Sequence, residues 1–279
     1  MLRVARGRRA RKIEAMTMGT VDVTMDGQHP RLPIPPSWCV FVDPERRRDL
    51  ISILAELSGL WEGMVEPFII VGALSLVLRE RLRFTALWDI DLLFPSEEAV
   101  ETFADRRPPG GVRVVAYDDQ LMRGAGIASL HTAWRICSKW INVDYIYRPP
   151  FYRLHYSTFE KDGPLIQEVR LGEETFQIRV PVAHPWDVFL EKIISPRFSS
   201  VVESGYGMHP DVRHILFLLQ SETEQEGFWS YLEQTARVFG LVEGVRQGME
   251  LLLANRDYLG YGEFELPAVL DAKIGRFGR

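Results

Sequence analysis

Cysteine is scarce: 279 residues include two, Cys39 and Cys137, and neither stands in a C-x-x-C or other paired spacing. That rules out a disulfide framework and a zinc or thiol-redox motif readable from spacing, and it makes a reducing cytoplasm the simplest setting. Long apolar runs are missing too. Nothing approaches the ~18–20 residues a membrane helix needs, so no membrane association is expected, and the opening MLRVARGRRARK lacks the apolar stretch of a secretory signal. No G-x-S-x-G elbow occurs, which leaves a serine hydrolase without support. Internal repeats are absent. The bulk of the chain also lacks positive charge. Six basic residues crowd the first twelve, and subtracting them from the net −5 leaves the remainder near −11. A body that acidic argues against a broad groove for duplex DNA or RNA, whose binding depends on phosphate neutralisation, while leaving room for a small, local basic site. The basic arm either touches RNA or, if Met16 or Met18 is the true start, is no part of the native protein.

What remains is a composition for a real core: 46% hydrophobic and 25% charged residues, near the globular average. Residues 1–36, basic and then Pro-rich (HPRLPIPP), read as a disordered tail. Asp43-Pro44 is a helix start, and Leu50, Leu54, Leu57 and Trp61 recur at helical spacing over 44–62. Strands are expected at Pro67–Val71, Trp88–Phe94, Arg113–Tyr117, Trp140–Tyr147 and Phe176–Val182, with Gly72 turning the first into a helix over Ala73–Arg83. Gly124-Ala125-Gly126 reads as a flexible loop. His184-Pro185 opens a helix that Ser195-Pro196 closes. Beyond Met208 the pattern is helical only, at Pro210–Gln220, Phe228–Phe239 and Val242–Tyr258. The fold class is α+β: a small mixed sheet flanked by helices over 37–183, then a helical region over 184–279, with the boundary near 180–185.

Asp89 and Asp91 sit inside the apolar run LWDIDLLF. In a strand, residues i and i+2 face the same side, so two carboxylates project together and repel. Partial burial makes this costly unless a cation lies between them; Mg²⁺ favours carboxylate, water and phosphate oxygens. The plainer alternative is an edge strand with both acids in solvent, which the apolar flanks Leu87-Trp88 and Leu92-Leu93-Phe94 disfavour. Asp144 in INVDYIY is a third lone acid in a β-rich segment. If its strand neighbours the other, three carboxylates converge into a site for one or two metals, with Asp144 as general base or as ligand of the second.

A glycine turn opening a helix (Gly72-Ala73-Leu74-Ser75), a D-h-D strand (Asp89-Ile90-Asp91) and a later strand aspartate (Asp144) resemble the polymerase-β-like nucleotidyltransferases. Within that superfamily the segments VPVAHPWDVFLEKIISPRF and HPDVRHILFLL, with Lys192 and Asp211, look most like the abortive-infection (AbiE-type) toxin members. Ala73 stands where the family has a second glycine or serine, and Ser75 follows two positions later. The resemblance implies that Asp89, Asp91 and Asp144 are catalytic and hold Mg²⁺ or Mn²⁺. It also implies that Gly72, Ala73 and Ser75 bind the NTP, that Lys192 holds nucleotide phosphate, and that Asp211 is a further polar site residue. The helical region would thus contribute to the nucleotide site. The acceptor would be a tRNA 3′ end or a protein hydroxyl, with a cognate antitoxin as a possible partner.

Two readings of other classes stay open. A glycosyltransferase uses D-x-D for a metal and a sugar nucleotide, and a degenerate nucleotidyltransferase survives as a nucleotide-binding or interaction module. Without a family in view, Lys192 is one cation on an amphipathic helix, paired with Asp187 or Glu191, and Asp211 is a first-turn acid favoured by the helix dipole. His209 and His214, five apart, do not share a helix face as HExxH does. Tyr145, Tyr147, Phe151 and Tyr152 read as packing residues with base stacking as the alternative.

Overall fold

The computed structural model describes residues 44–82, 89–124, 126–149, 151–205, 209–256 and 269–278. The tail over 1–36, Trp88, Ala125 and the end of the helix expected to reach Tyr258 lie outside the described residues. Helix α1 (Pro44–Trp61) buries Leu50, Leu54 and Leu57, as their spacing demands. It is followed by β1 (Ile69–Val71), α2 (Gly72–Leu78), β2 (Ile90–Phe94), α3 (Glu97–Ala104), β3 (Arg113–Ala116), β4 (Met122–Gly124), β5 (Ile127–Arg135) and β6 (Ile141–Tyr147). Then come α4 (Phe151–Asp162), β7 (Leu165–Leu171) and β8 (Glu174–Val180). Helices α5 (Pro185–Ile193), α6 (Pro196–Glu203), α7 (Pro210–Glu222), α8 (Phe228–Val238), α9 (Val242–Ala254) and α10 (Val269–Ile274) complete the order. The class is α+β.

The main sheet runs β1-β2-β6-β5-β3, with β4 pairing β5; β7 and β8 form a separate ribbon. Only the β2–β6 pair is parallel among these ladders. Alternation gives each central strand two chemistries. On one face Phe94, Trp134 and Tyr145 pack around Phe103 of α3, with ring centroids 5.1 Å apart for both Phe94–Phe103 and Phe103–Tyr145. The buried indole of Trp134 donates to the Tyr145 hydroxyl at 2.9 Å, so that face buries no orphaned polar tip. Tyr145 is thus a core residue, as expected of a strand aromatic. The opposite face carries Asp91, Asn142, Asp144 and His131.

Several elements differ from the pattern in the residues. Helix α2 ends at Leu78 because Glu80 takes a left-handed backbone, φ +58°, and Arg79 donates to the carbonyl of Val182 at 2.8 Å. Where a flexible loop was expected, Gly124 pairs with Ile127 across the β4–β5 ladder, and Gly126 stands at φ +75°, where glycine is relaxed. Strand β8 begins at Glu174 and pairs with an unforeseen β7, whose Ile166 stays two-thirds exposed. Pro181 and Ala183 then clasp β1: Ile70 donates to the Pro181 carbonyl at 2.8 Å and accepts from the Ala183 amide at 2.9 Å. This clasp delivers α5 to the edge of the sheet. Among the described residues, no helix is long and apolar enough to cross a membrane.

Two buried contacts hold this arrangement. Asp49 on α1 is fully buried and accepts from the amides of Ile136, Cys137, Ser138 and Lys139 at 2.7–3.2 Å. Burial pulls its carboxyl upward, but those four donors prevail and hold it below the usual range. Gly72 has φ +70°, and a Cβ there would lie 2.1 Å from Oδ2 of Asp91. The β1–β2 register, Val71 opposite Asp91, therefore requires glycine on conformational and steric grounds.

Asp49→Ala leaves four amides without their acceptor and should lower unfolding free energy by roughly 3 kcal/mol, with Asp49→Asn losing less, in urea titration. Gly72→Ala should cost more than about 1 kcal/mol in the same assay. An unchanged midpoint for Gly72→Ala would contradict the close approach of Asp91.

Candidate active site

A cleft of about 330 Å³ opens on the polar face of the sheet, and Gly72, Ala73, Asp89, Asp91, Asp144, Lys192 and Asp211 all line it. One wall is acidic. Asp91 and Asp144 are register partners on the parallel strands β2 and β6, so both carboxylates leave one row of the sheet on the same side. Asp89, just before β2, accepts a hydrogen bond from Asn142 Nδ2 at 3.1 Å. Burial, then the Asp144 charge, pushes the Asp91 carboxyl up to about 7. Burial raises Asp144 as well, against the opposing pull of His131. His131, opposite Asp144 on β5, brings its Nδ1 to 3.2 Å from Asp144 Oδ2.

The other wall is basic and belongs to α5, α6 and α7. Lys192 pairs with Asp211, and Arg197 Nε approaches the same carboxylate at 3.4 Å. Neither Asp187 nor Glu191 is the partner that simple helix spacing suggested: Asp187 is fully buried, accepting from Thr158 and Tyr231. Asp211 sits in the first turn of α7, where the helix N-terminus favours an anion. Burial alone would lift its carboxyl, but Lys192, Arg197 and His209 outweigh burial and hold it low. His209 caps α7, its Nδ1 accepting from the Asp211 amide at 3.2 Å. His214 also lines the cleft; burial and then Lys192 push its ring down to about 4, so it is neutral.

Between the walls lies a buried ion cluster. Glu191 bonds Arg148 at 2.5 Å and His155 Nε2 at 2.8 Å. Burial works against its charge, but His155, Arg148 and Lys192 win and bring it to about 2. An anion is thereby fixed beside Lys192 without consuming it.

Of the residues singled out from sequence, Gly72, Ala73, Asp89, Asp91, Asp144, Lys192 and Asp211 come together. Ser75 does not: it is fully buried, its hydroxyl donating to the Gly72 carbonyl at 2.7 Å, so it braces the turn from behind. His131 and Arg148 are cleft residues that spacing did not reveal, because strand pairing and helix packing bring them in from distant positions, while Glu191, His209 and His214, noted in the sequence in other connections, line the cleft too. The paired acids of LWDIDLLF carried a signal; a lone histidine in IASLHTAWR carries none.

Asp89, Asp91 and Asp144 offer only oxygen donors, the chemistry of a hard divalent cation. Among the described residues no group of three or more His, Cys, Asp or Glu side chains is arranged to hold a metal ion by itself. Two of the carboxylates lean on Asn142 and His131 instead. A cation such as Mg²⁺, which keeps waters and takes phosphate oxygens, needs only one or two protein carboxylates, and the donor set fits it on those terms.

No family model and no curated protein matches the chain. Among solved structures it is similar to a candidate nucleotidyltransferase from H. pylori, at 13% identity and a TM-score of 0.34, over 82% of this chain and 90% of that one. It is also similar to JHP933 from Helicobacter pylori, at 12% identity and a TM-score of 0.33, over 82% and 86% of the two chains. A third is an antigenic nucleotidyltransferase-like protein from Paracoccidioides brasiliensis, at 10% identity and a TM-score of 0.31, over 71% and 92%.

Proposed function

We propose that the chain is a metal-dependent nucleotidyltransferase that moves a nucleoside monophosphate from an NTP to a hydroxyl acceptor. One observation carries the reading: Asp91 and Asp144 share a register row beside the Gly72 turn and face Lys192 and Arg197 across a single cleft. Acids on one side and cations on the other suit a substrate that needs a cation at one end and bare positive charge along its phosphates. Mg²⁺ or Mn²⁺ held by one or two of Asp89, Asp91 and Asp144 would supply charge neutralisation at the reacting phosphate. In this reading Lys192 exchanges Asp211 for triphosphate, Arg197 assists, and Gly72-Ala73 borders the phosphates. The acceptor oxygen bonds the α-phosphorus as the bridging α–β P–O bond breaks and pyrophosphate leaves. The acceptor proton passes to Asp144.

The narrower form of the proposal is a toxin acting on a tRNA 3′ end or a protein hydroxyl in the cytoplasm and restrained by an antitoxin. It rests on the resemblance of the segments around Lys192 and Asp211.

With Mg²⁺, α-labelled NTPs and total tRNA, purified protein should transfer label to RNA or protein. Asp89→Ala and Asp91→Asn should each lower kcat by about two orders of magnitude or more. Transfer from nucleotide sugars alone, or turnover indifferent to both substitutions, would sink the reading.

Asp91 also sets a pH dependence. Its folded pKa of about 7 lies above the ordinary value of 3.8. The protonated form therefore contributes stability that is fully present below the ordinary value and is lost as pH rises through about 7. Metal-free Asp91→Asn should match wild type near about pH 4 and out-melt it at about pH 8. Mg²⁺ should raise the wild-type melting temperature at the higher pH and leave the variant unmoved. Equal melting temperatures of the two proteins across the range would contradict a buried, repelled Asp91.

A further inference from the structure

The sheet face that carries Asp144 and His131 also holds a second feature, four residues further along β5. Arg113 on β3 and Arg135 on β5 are directly opposed in the antiparallel ladder. Like charges so placed destabilise a strand pair, and neither guanidinium has an acidic partner among the described residues. Both line a hollow of about 510 Å³. The guanidinium carbon of Arg135 lies over the ring of Trp140, 4.8 Å from its centroid, and Trp140 is 37% exposed. Nearer the cleft, Tyr117 is 63% exposed and donates to Asn142 at 3.5 Å. Its amide bonds the carbonyl of His131, the residue opposite Asp144. From Arg135 to His131 is four residues along β5, about 13 Å.

We infer that this face seats the acceptor, a single-stranded nucleic-acid end whose phosphates lie over Arg113 and Arg135 and whose bases stack on Trp140 and Tyr117. The inference rests on the nucleotidyl-transfer reading and names the acceptor class. An unpaired arginine pair is complementary to a phosphodiester, since the opposed charges lose their repulsion when an anion lies between them. Exposed aromatic faces beside such a pair accept any unstacked base. A short strand needs no more than this one surface. Its terminal hydroxyl would lead toward Asp144.

The probe is a 5′-fluorescent single-stranded oligoribonucleotide with a free 3′-hydroxyl, titrated by anisotropy across a salt series. Arg113→Gln/Arg135→Gln should weaken binding about tenfold or more and flatten the log–log salt slope by roughly 1–1.5. Because it removes a like-charge pair, this variant should melt no lower than wild type. Trp140→Ala should weaken binding through lost stacking and leave the salt slope unchanged. Oligonucleotide affinity or salt slope unchanged in the double variant overturns the inference, as does a wild type that binds no oligonucleotide while labelling a protein acceptor. Mg²⁺–NTP affinity, measured on the same preparations, should be unaltered by all three substitutions. Its absence from wild type would overturn nucleotidyl transfer itself, a failure distinct from loss of the acceptor surface.

Discussion

Placing Asp144 beside Asp91 on neighbouring parallel strands is the constraint on which the site depends. Two carboxylates in one row, one of them half-buried, form an arrangement whose repulsion the fold must tolerate. The surrounding structure does so locally. Asn142 takes up Asp89, His131 takes up Asp144, and Asp91, pushed up to about 7, carries its proton in about half of the molecules at neutral pH. A ligand-free protein that holds a proton where a cation would go keeps the pocket intact without a compensating ion.

The basic wall follows the same logic with the signs reversed. Lys192 and Arg197 converge on Asp211, so the cations are neutralised internally until an anion competes for them. Glu191, ionised by Arg148 and His155, satisfies a separate cation and leaves Lys192 to the cleft. Each wall thus carries its own counter-charge, which is how a polar cleft of this size persists beside a core that includes Val188, Phe189 and Ile193.

What the residues disclosed in advance was whatever local periodicity or charge contrast could encode. Asp89, Asp91 and Asp144 were legible because acids in apolar β-rich runs are conspicuous, and α1, α5 and α7 because leucine spacing and proline at a helix start are. Strand β5 was not legible: IASLHTAWR buries Trp134 on one face and leaves His131 on the other, and neither alternation nor an apolar run stands out. Strand β7 was obscured by an exposed Ile166 amid charged residues. Ser75 misled because a serine beside a glycine turn looks the same in sequence whether its hydroxyl meets phosphate or the carbonyl three residues back. The arginine pair on β3 and β5 exists only once the register is known.

The clasp of β1 onto Pro181 and Ala183 has a mechanical consequence. Strand β1 is hydrogen-bonded on one side to the strand that bears Asp91 and on the other to the segment that launches α5 with Lys192. Both jaws are therefore bolted to a single three-residue bar, and the gap between them is set by ladder geometry. Loading such a mouth calls for side chains to swing, while the backbone frame that spaces them stays put.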